Sequence, residues 1–209
     1  MEKVISKRNP LGNKRIPLTL TARCHLFFSS CVAIDYLRTQ ETSKIMDIYS
    51  FLTEHHIEYE RFDHPPVYTV EDVHRLALNL PGARIKNLFL CEKKGPRHFL
   101  VVVPDDKRVD MKALPKILES GHVSFGSPDR LKKHLGIEPG SVSLLAIVND
   151  SDHAVEVVMD ESLWRSEAFQ CHPLINTSTL VIPRDSMMRF LRATGHEVKL
   201  ADIEAQQKK

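Results

Sequence analysis

The chain is short of several things, and each shortage removes a class of function. Its four cysteines, Cys24, Cys31, Cys91 and Cys171, are scattered and form no C-x-x-C pair. That argues against a disulfide scaffold or a thiolate zinc site and suits a reducing compartment, the cytoplasm. No apolar run approaches the roughly 18 residues that a membrane-spanning helix needs, so no membrane contact is expected. H-E-x-x-H, G-x-S-x-G and the phosphate-cradling G-x-x-x-x-G-K-[ST] loop are all missing. The 11 histidines show no ligand spacing. His55 and His56 are adjacent, and neighbours on a helix point about 100° apart, too far to share a metal. Neither a metal nor a cofactor is expected.

A strong charge of one sign is also missing: the net charge is only +2. Residues 1–45 carry eight Lys/Arg and three Asp/Glu, whereas residues 46–209 carry 21 and 24. The larger part is therefore mildly acidic and lacks the broad basic field of a general nucleic-acid binder. A nucleic acid would have to be held by a local basic patch.

What is present fits one domain, since 209 residues can build a full core. The basic start and the apolar stretch Leu26–Ile34 resemble a targeting segment, but Asp35 ends the stretch early and no small-residue cleavage site follows. Residues 1–45 are expected to be a disordered or non-native extension, residues 46–200 the functional domain and 201–209 a flexible tail. The spacing of Ile45, Ile48, Tyr49 and Leu52 predicts a helix. A strand is expected over Ile57–Phe62, a proline-stiffened turn over Asp63–Pro66, and a helix near Glu71–Leu78 with Thr69 or Asp72 as its cap. His98–Val103 reads as a central strand. Asp110–Glu119 reads as a helix that Pro115 delays or kinks. Ser127, Pro128 and Gly136 mark the cap, first turn and end of another helix. Strands are expected over Val123–Phe125, Leu144–Val148 and Val155–Met159. Met187, Phe190, Leu191 and Thr194 mark a last amphipathic helix, stopped by Gly195. No internal repeat is evident, and short strands mix with short helices without a regular βαβ rhythm.

Three stretches carry chemistry. In the first, Lys86 and Asn87 stand before the apolar run Leu88–Leu90, where a Lys is either a surface residue ending a strand or a cation at the rim of a pocket. The second is the loop Pro139-Gly140-Ser141-Val142-Ser143, either an ordinary turn or a place where backbone amides approach a ligand. The third is Cys171-His172 and the loop to Thr179. Adjacent residues on a strand face opposite sides, so Cys171 and His172 cannot act as a nucleophile and its base. His172 alone is either a general base or water-positioner, or a structural histidine. Asn176, Thr177 and Thr179 either fix that loop or touch a substrate. Lys132 and Lys133 are a solvated face or a contact for an RNA phosphate.

Lys86-Asn87-Leu88-Phe89-Leu90, Pro139–Ser143 and His172–Thr179, in this order and spacing, resemble the YbaK/ProX family of aminoacyl-tRNA editing domains. The resemblance runs from about Met46 to about Leu200, and within the family it points to the free-standing Ala-tRNA(Pro) deacylases. It implies a single α+β domain with a mixed, curled sheet flanked by short helices. It also implies hydrolysis of the ester of mischarged tRNA(Pro) without a covalent nucleophile. The sister activity on Cys-tRNA(Pro), and a non-catalytic tRNA- or synthetase-binding module on the same fold, are the alternatives. On this resemblance, Lys86 binds the terminal phosphate or carbonyl region and Asn87 hydrogen-bonds the substrate. The loop of Gly140 and Ser141 lies near the terminal adenosine, while Thr69, Val70, Ile85 and Asn176 shape the amino-acid pocket. The implied partner is the acceptor end of tRNA(Pro), with transient contact to prolyl-tRNA synthetase or an elongation factor.

Overall fold

The computed structural model describes residues 47–66 and 79–206. The expectations for residues 1–45, for Thr69 and Val70 and for a helix over 71–78 lie outside them. The described chain is an α+β domain with eight strands in one mixed, open sheet, as expected. Its strands are β1 (Glu60–Asp63), β2 (Ala83–Glu92), β3 (His98–Pro104), β4 (Val123–Phe125), β5 (Val155–Asp160), β6 (Ala168–Cys171), β7 (Ser178–Pro183) and β8 (Val198–Ala201). Five short α-helices flank them: α1 (Ile48–Glu54), α2 (Leu114–Ile117), α3 (Pro128–Leu135), α4 (Glu161–Trp164) and α5 (Arg184–Ala193). The order across the sheet is β1-β7-β6-β2-β3-β5-β8, with β4 also on β2.

The long strand β2 joins the two halves. Gly82 turns the chain into it at φ +86°, and a Cβ there would lie 2.6 Å from the Ala168 carbonyl oxygen, so only glycine fits. Ala83 and Arg84 then pair with β6 in parallel, Ile85–Cys91 pair antiparallel with β3, and Leu90–Glu92 pair with β4. Side chains alternate across the sheet. Ile85, Phe89, Leu100 and Val102 join the larger core, with Phe169 and Phe190, while Leu88, Leu90, Phe99 and Val101 join the smaller one with Leu114 and Leu118. β3 is apolar on both faces because both are covered, which explains its continuous hydrophobic run.

Local signals set the helices. The Asp47 carboxylate caps α1 on the amides of Tyr49 and Ser50. Ser127 caps α3, Pro128 opens it and Gly136 closes it at φ +65°. Pro115 sits in the first turn of α2, which starts late, at Leu114.

Three expectations change. Leu144–Val148 is not a strand but a 3₁₀ helix, Leu144–Asn149. Its residues Leu144–Ile147 are wholly buried, and an unbroken apolar run carries no period to tell helix from strand. Ser143 decides the matter locally, because its hydroxyl accepts from the Leu145 amide and starts a turn. The first strand begins at Glu60 rather than Ile57, because the Ile57 amide still bonds the Leu52 carbonyl behind α1. Residues 203–206, within the expected tail, are tied down: Ile203 is buried, and the Gln206 amide donates to the Arg108 carbonyl.

Candidate active site

β2 changes neighbours along one edge. It leaves β6 after Arg84 and meets β4 only at Leu90. Between these points, among the described residues, that edge pairs with no strand, and the sheet is split there. Asn87 sits in the split. Its Nδ2 donates to the Val142 carbonyl at 3.2 Å, holding the Gly140 loop against β2, while its Oδ1 is buried without a partner. Gly140 has φ +90° and nothing within 4 Å of where a Cβ would stand, so its backbone is open to approach. The Ser141 amide closes the turn on the Glu138 carbonyl.

Ser143 ties this loop to the next one. Its fully buried hydroxyl donates to the His172 carbonyl at 2.6 Å. His172 follows β6, and its Nδ1 lies 3.4 Å from the Ser178 carbonyl. A carbonyl only accepts, so Nδ1 carries the proton and Nε2 keeps a lone pair. Burial holds the imidazole below its usual pKa, with the neighbouring His64 acting in the same direction and the Ser178 contact opposing. His172 is therefore neutral at neutral pH and able to accept a proton or a hydrogen bond.

His64 packs edge-on to His172, with ring centroids 6.5 Å apart. Its Nδ1 donates to the Pro65 carbonyl at 2.8 Å, so its Nε2 accepts from the Thr179 hydroxyl at 3.0 Å. The His64 amide donates to the Thr177 carbonyl. Asn176 is half-buried in the same loop, where Leu174 adopts a left-handed φ of +64°.

The fold thus gathers Asn87, Gly140, Ser141, His172 and the loop of Asn176 around the split. Ile85 shares the Asn87 face and packs into the larger core. Lys86 has the opposite parity and belongs to the other face. Its ammonium donates to the Asp105 carbonyl at 3.1 Å. Burial lowers its pKa, with Asp105 and Asp106 opposing. Lys86 is thus drawn to the turn that follows β3, on the opposite face of β2 from Asn87.

A separate polar cleft of about 470 Å³ lies near the start of β2, lined by Arg84, Asp105, Ser162, Ser166 and Gln170 among others. None of Asn87, Gly140 or His172 lines it. Arg84 is ion-paired there with Asp105 at 3.1 Å. Gln170 Nε2 donates to the carbonyls of Leu80, Pro81 and Gly82 at 3.0–3.2 Å, clamping the turn into β2.

Cys171 is fully buried and its thiol is pushed up to about 12, which excludes a thiolate nucleophile. Among the described residues no group of three His, Cys, Asp or Glu could hold a metal, and no helix is long and apolar enough to cross a membrane. Sequence reasoning missed Ser143 and His64 as organisers of the site. The signal for Ser143 was a serine just before an unbroken apolar run. For His64 the turn over Asp63–Pro66, similar to a pocket-lining segment of the family, was legible, but its partner Thr179, 115 residues away, was not.

Comparison with known proteins places the chain in a family. The aminoacyl-tRNA editing domain family matches residues 64–190, which include every element of the split site. The prolyl-tRNA editing protein ProX of Acetoanaerobium sticklandii is 35% identical over 152 residues, covering 73% of this chain and 93% of its own. The prolyl-tRNA synthetase associated domain-containing protein 1 of Danio rerio is 32% identical over 152 residues, covering 72% and 82%. A solved structure described as a candidate trans-editing enzyme for prolyl tRNA synthetase shares the fold, with a TM-score of 0.57 at 17% identity over 77% of this chain and 96% of that one. The chain belongs to the aminoacyl-tRNA editing domain family.

Proposed function

We propose that this protein is a trans-acting deacylase of mischarged tRNA(Pro), with Ala-tRNA(Pro) as its preferred substrate. The observation that carries the reading is the split in the sheet at Asn87. In this reading the aminoacylated chain end enters there, between the open backbone of Gly140 and the neutral His172. The resemblance to prolyl-tRNA editing proteins supports the choice of tRNA.

The chemistry is ester hydrolysis. Water attacks the aminoacyl carbonyl and a tetrahedral oxyanion forms. The ribose oxygen then leaves with a proton, giving free amino acid and uncharged tRNA. An ester of this kind needs little activation, so placing water and stabilising the oxyanion suffices. In this reading His172 Nε2 orients or deprotonates the water, and the Gly140 loop faces the terminal adenosine and the developing negative charge. Lys86 exchanges its neutral carbonyl partner for the terminal phosphate. Asn87 acts by holding the loop, and Ile85, Asn176, Thr69 and Val70 bound the amino-acid pocket.

The need for such an enzyme follows from sieve logic. A prolyl site rejects alanine only through missing methylenes, worth about 1–3 kcal/mol, so a second pocket too small for proline must remove the error. The test incubates the purified protein and its Lys86→Ala variant with Ala-tRNA(Pro), Cys-tRNA(Pro) and Pro-tRNA(Pro). Rapid loss of alanine alone, abolished in the variant, is expected. Preferential loss of cysteine would assign the sister activity. Release of no amino acid would leave a binding module.

A further inference from the structure

Helix α3 leads straight into the site. Three residues separate Gly136, which ends it, from Gly140, and the four steps of chain span at most about 14 Å. Its apolar side, Leu131 and Leu135, packs into the same core as Phe89. Phe89 lies two residues beyond Asn87 on the same face of β2, about 7 Å along the strand. The His98 ring stacks on Phe89 with centroids 5.9 Å apart, and His134 of α3 packs on His98 at 4.1 Å.

This corner gathers positive charge that the fold does not neutralise. Arg130 and Lys133 are exposed and, among the described residues, no carboxylate pairs with either, whereas Lys132 is bound to Glu138 at 2.9 Å. Arg130 Nη1 points at His98 Nε2 at 3.5 Å. A guanidinium only donates, so Nε2 accepts, and the proton falls on Nδ1, which is buried without a partner. An orphaned buried donor costs about 1–3 kcal/mol, so the arrangement is poorly explained as a stabilising one. Burial first holds His98 and His134 below their usual pKa; His134, Arg130 and Lys133 add to this for His98, and Lys133 and Arg130 for His134, with Asp150 offsetting it in part for both and Asp152 for His134. A bound anion would offset the uncompensated charge of Arg130 and Lys133 and its effect on the two imidazoles. The rest of residues 46–209 is net acidic, so this is the kind of local patch an RNA ligand would need.

We propose that Arg130, Lys133 and His134 on α3, backed by His98, form a docking surface for the phosphate backbone of the RNA strand that carries the aminoacyl ester into the split at Asn87. The surface rests on the deacylase reading of that site and names how the site's substrate is held beyond its last nucleotide.

The test uses uncharged tRNA(Pro) as the binding probe and titrates it against the wild type and an Arg130→Gln/Lys133→Gln variant between 50 and 200 mM salt. Both positions are exposed, and unchanged thermal melting shows that the variant is folded. Each lost phosphate contact removes about 0.7–0.9 from the slope of log affinity against log salt, so the double variant should lose about 1.5. The salt-driven fall in affinity over that range then shrinks about eightfold. In hydrolysis, the variant's loss of kcat/KM should be larger on Ala-tRNA(Pro) than on an alanylated CCA trinucleotide, which has no stem to dock. An unchanged slope, as a surface for an acidic protein partner would give, or equal losses on both substrates, would overturn the proposal. If the wild type hydrolyses neither substrate, the deacylase reading fails, and the salt slope still decides the surface on its own.

Discussion

Replacing Ser143 with alanine separates packing from positioning at the site. The hydroxyl makes two buried hydrogen bonds, to the His172 carbonyl at 2.6 Å and from the Leu145 amide at 3.2 Å. Each is worth about 1 kcal/mol net, and the second is also a helix cap of similar value. The variant should therefore lose about 2 kcal/mol, which for a domain of this size is a fall in Tm of about 4–8 °C. At 25 °C a domain with about 5–15 kcal/mol of stability remains folded after that loss. Any fall in activity at that temperature then reports geometry. The Gly140 and His172 loops lose their common tether, and a shift near 1 Å costs up to about 100-fold in rate. The assay is single-turnover deacylation at 25 °C beside a melting curve. The fall in rate should appear in kcat, with little change in the KM for tRNA, because Ser143 is buried beneath the loops. An unchanged Tm together with an unchanged rate would refute the coupling of the two loops.

The two glycines of the site region should behave differently. Gly82→Ala combines a left-handed φ with a backbone clash at Ala168 and should cost at least about 3 kcal/mol, read as insoluble or cold-melting protein. Gly140→Ala meets no atom within 4 Å, so it should cost only about 1–2 kcal/mol in melting while sharply reducing deacylation. The pH dependence follows from His98, His134 and His172, all held below the usual imidazole value by burial. The unfolded chain takes up their protons near pH 6.5 and the folded chain resists them. The stability they contribute is therefore full above about pH 6.5 and falls as the pH drops below it. Melting curves from pH 8 to pH 5 should show that fall, and a His98→Gln variant should flatten it; a Tm that rises on acidification would contradict the assignment. Cys171, its thiol pushed up to about 12, should resist alkylation at pH 8 in the native protein and react once urea unfolds it, as read by peptide mass mapping.

The parts of the fold legible in the sequence are those with local causes. Ser127, Pro128 and Gly136 state the limits of α3 by capping chemistry alone. The apolar run at Leu88–Leu90 marks a buried strand, and the strand period separates Cys171 from His172 before any coordinates. The same period places Lys86 and Asn87 on opposite faces, yet their adjacency in a motif invites the reading that both touch the ligand from one side. The structure instead brings Lys86 to Asp105 and Asn87 to Val142. Long-range causes were not legible. Nothing near His64 announces Thr179, and nothing near Ser143 announces the His172 carbonyl. Leu144–Asn149 illustrates a different limit: a segment buried on all sides gives no periodicity, so its form depends on the single hydroxyl that precedes it. Ile203 was hidden by its polar neighbours, although one apolar residue among them is enough to anchor the segment after β8 in the smaller core.

The central claim is that the aminoacylated end of the RNA enters the split of β2 and not the polar cleft beside it. The most direct measurement is an NMR titration with 3′-alanylamido-adenosine, whose amide replaces the hydrolysable ester. The account predicts shift changes concentrated at the Asn87 side-chain amide, the Gly140 amide and the His172 ring. Changes confined to Arg84, Ser162 and Gln170 would place the substrate in the cleft and contradict it.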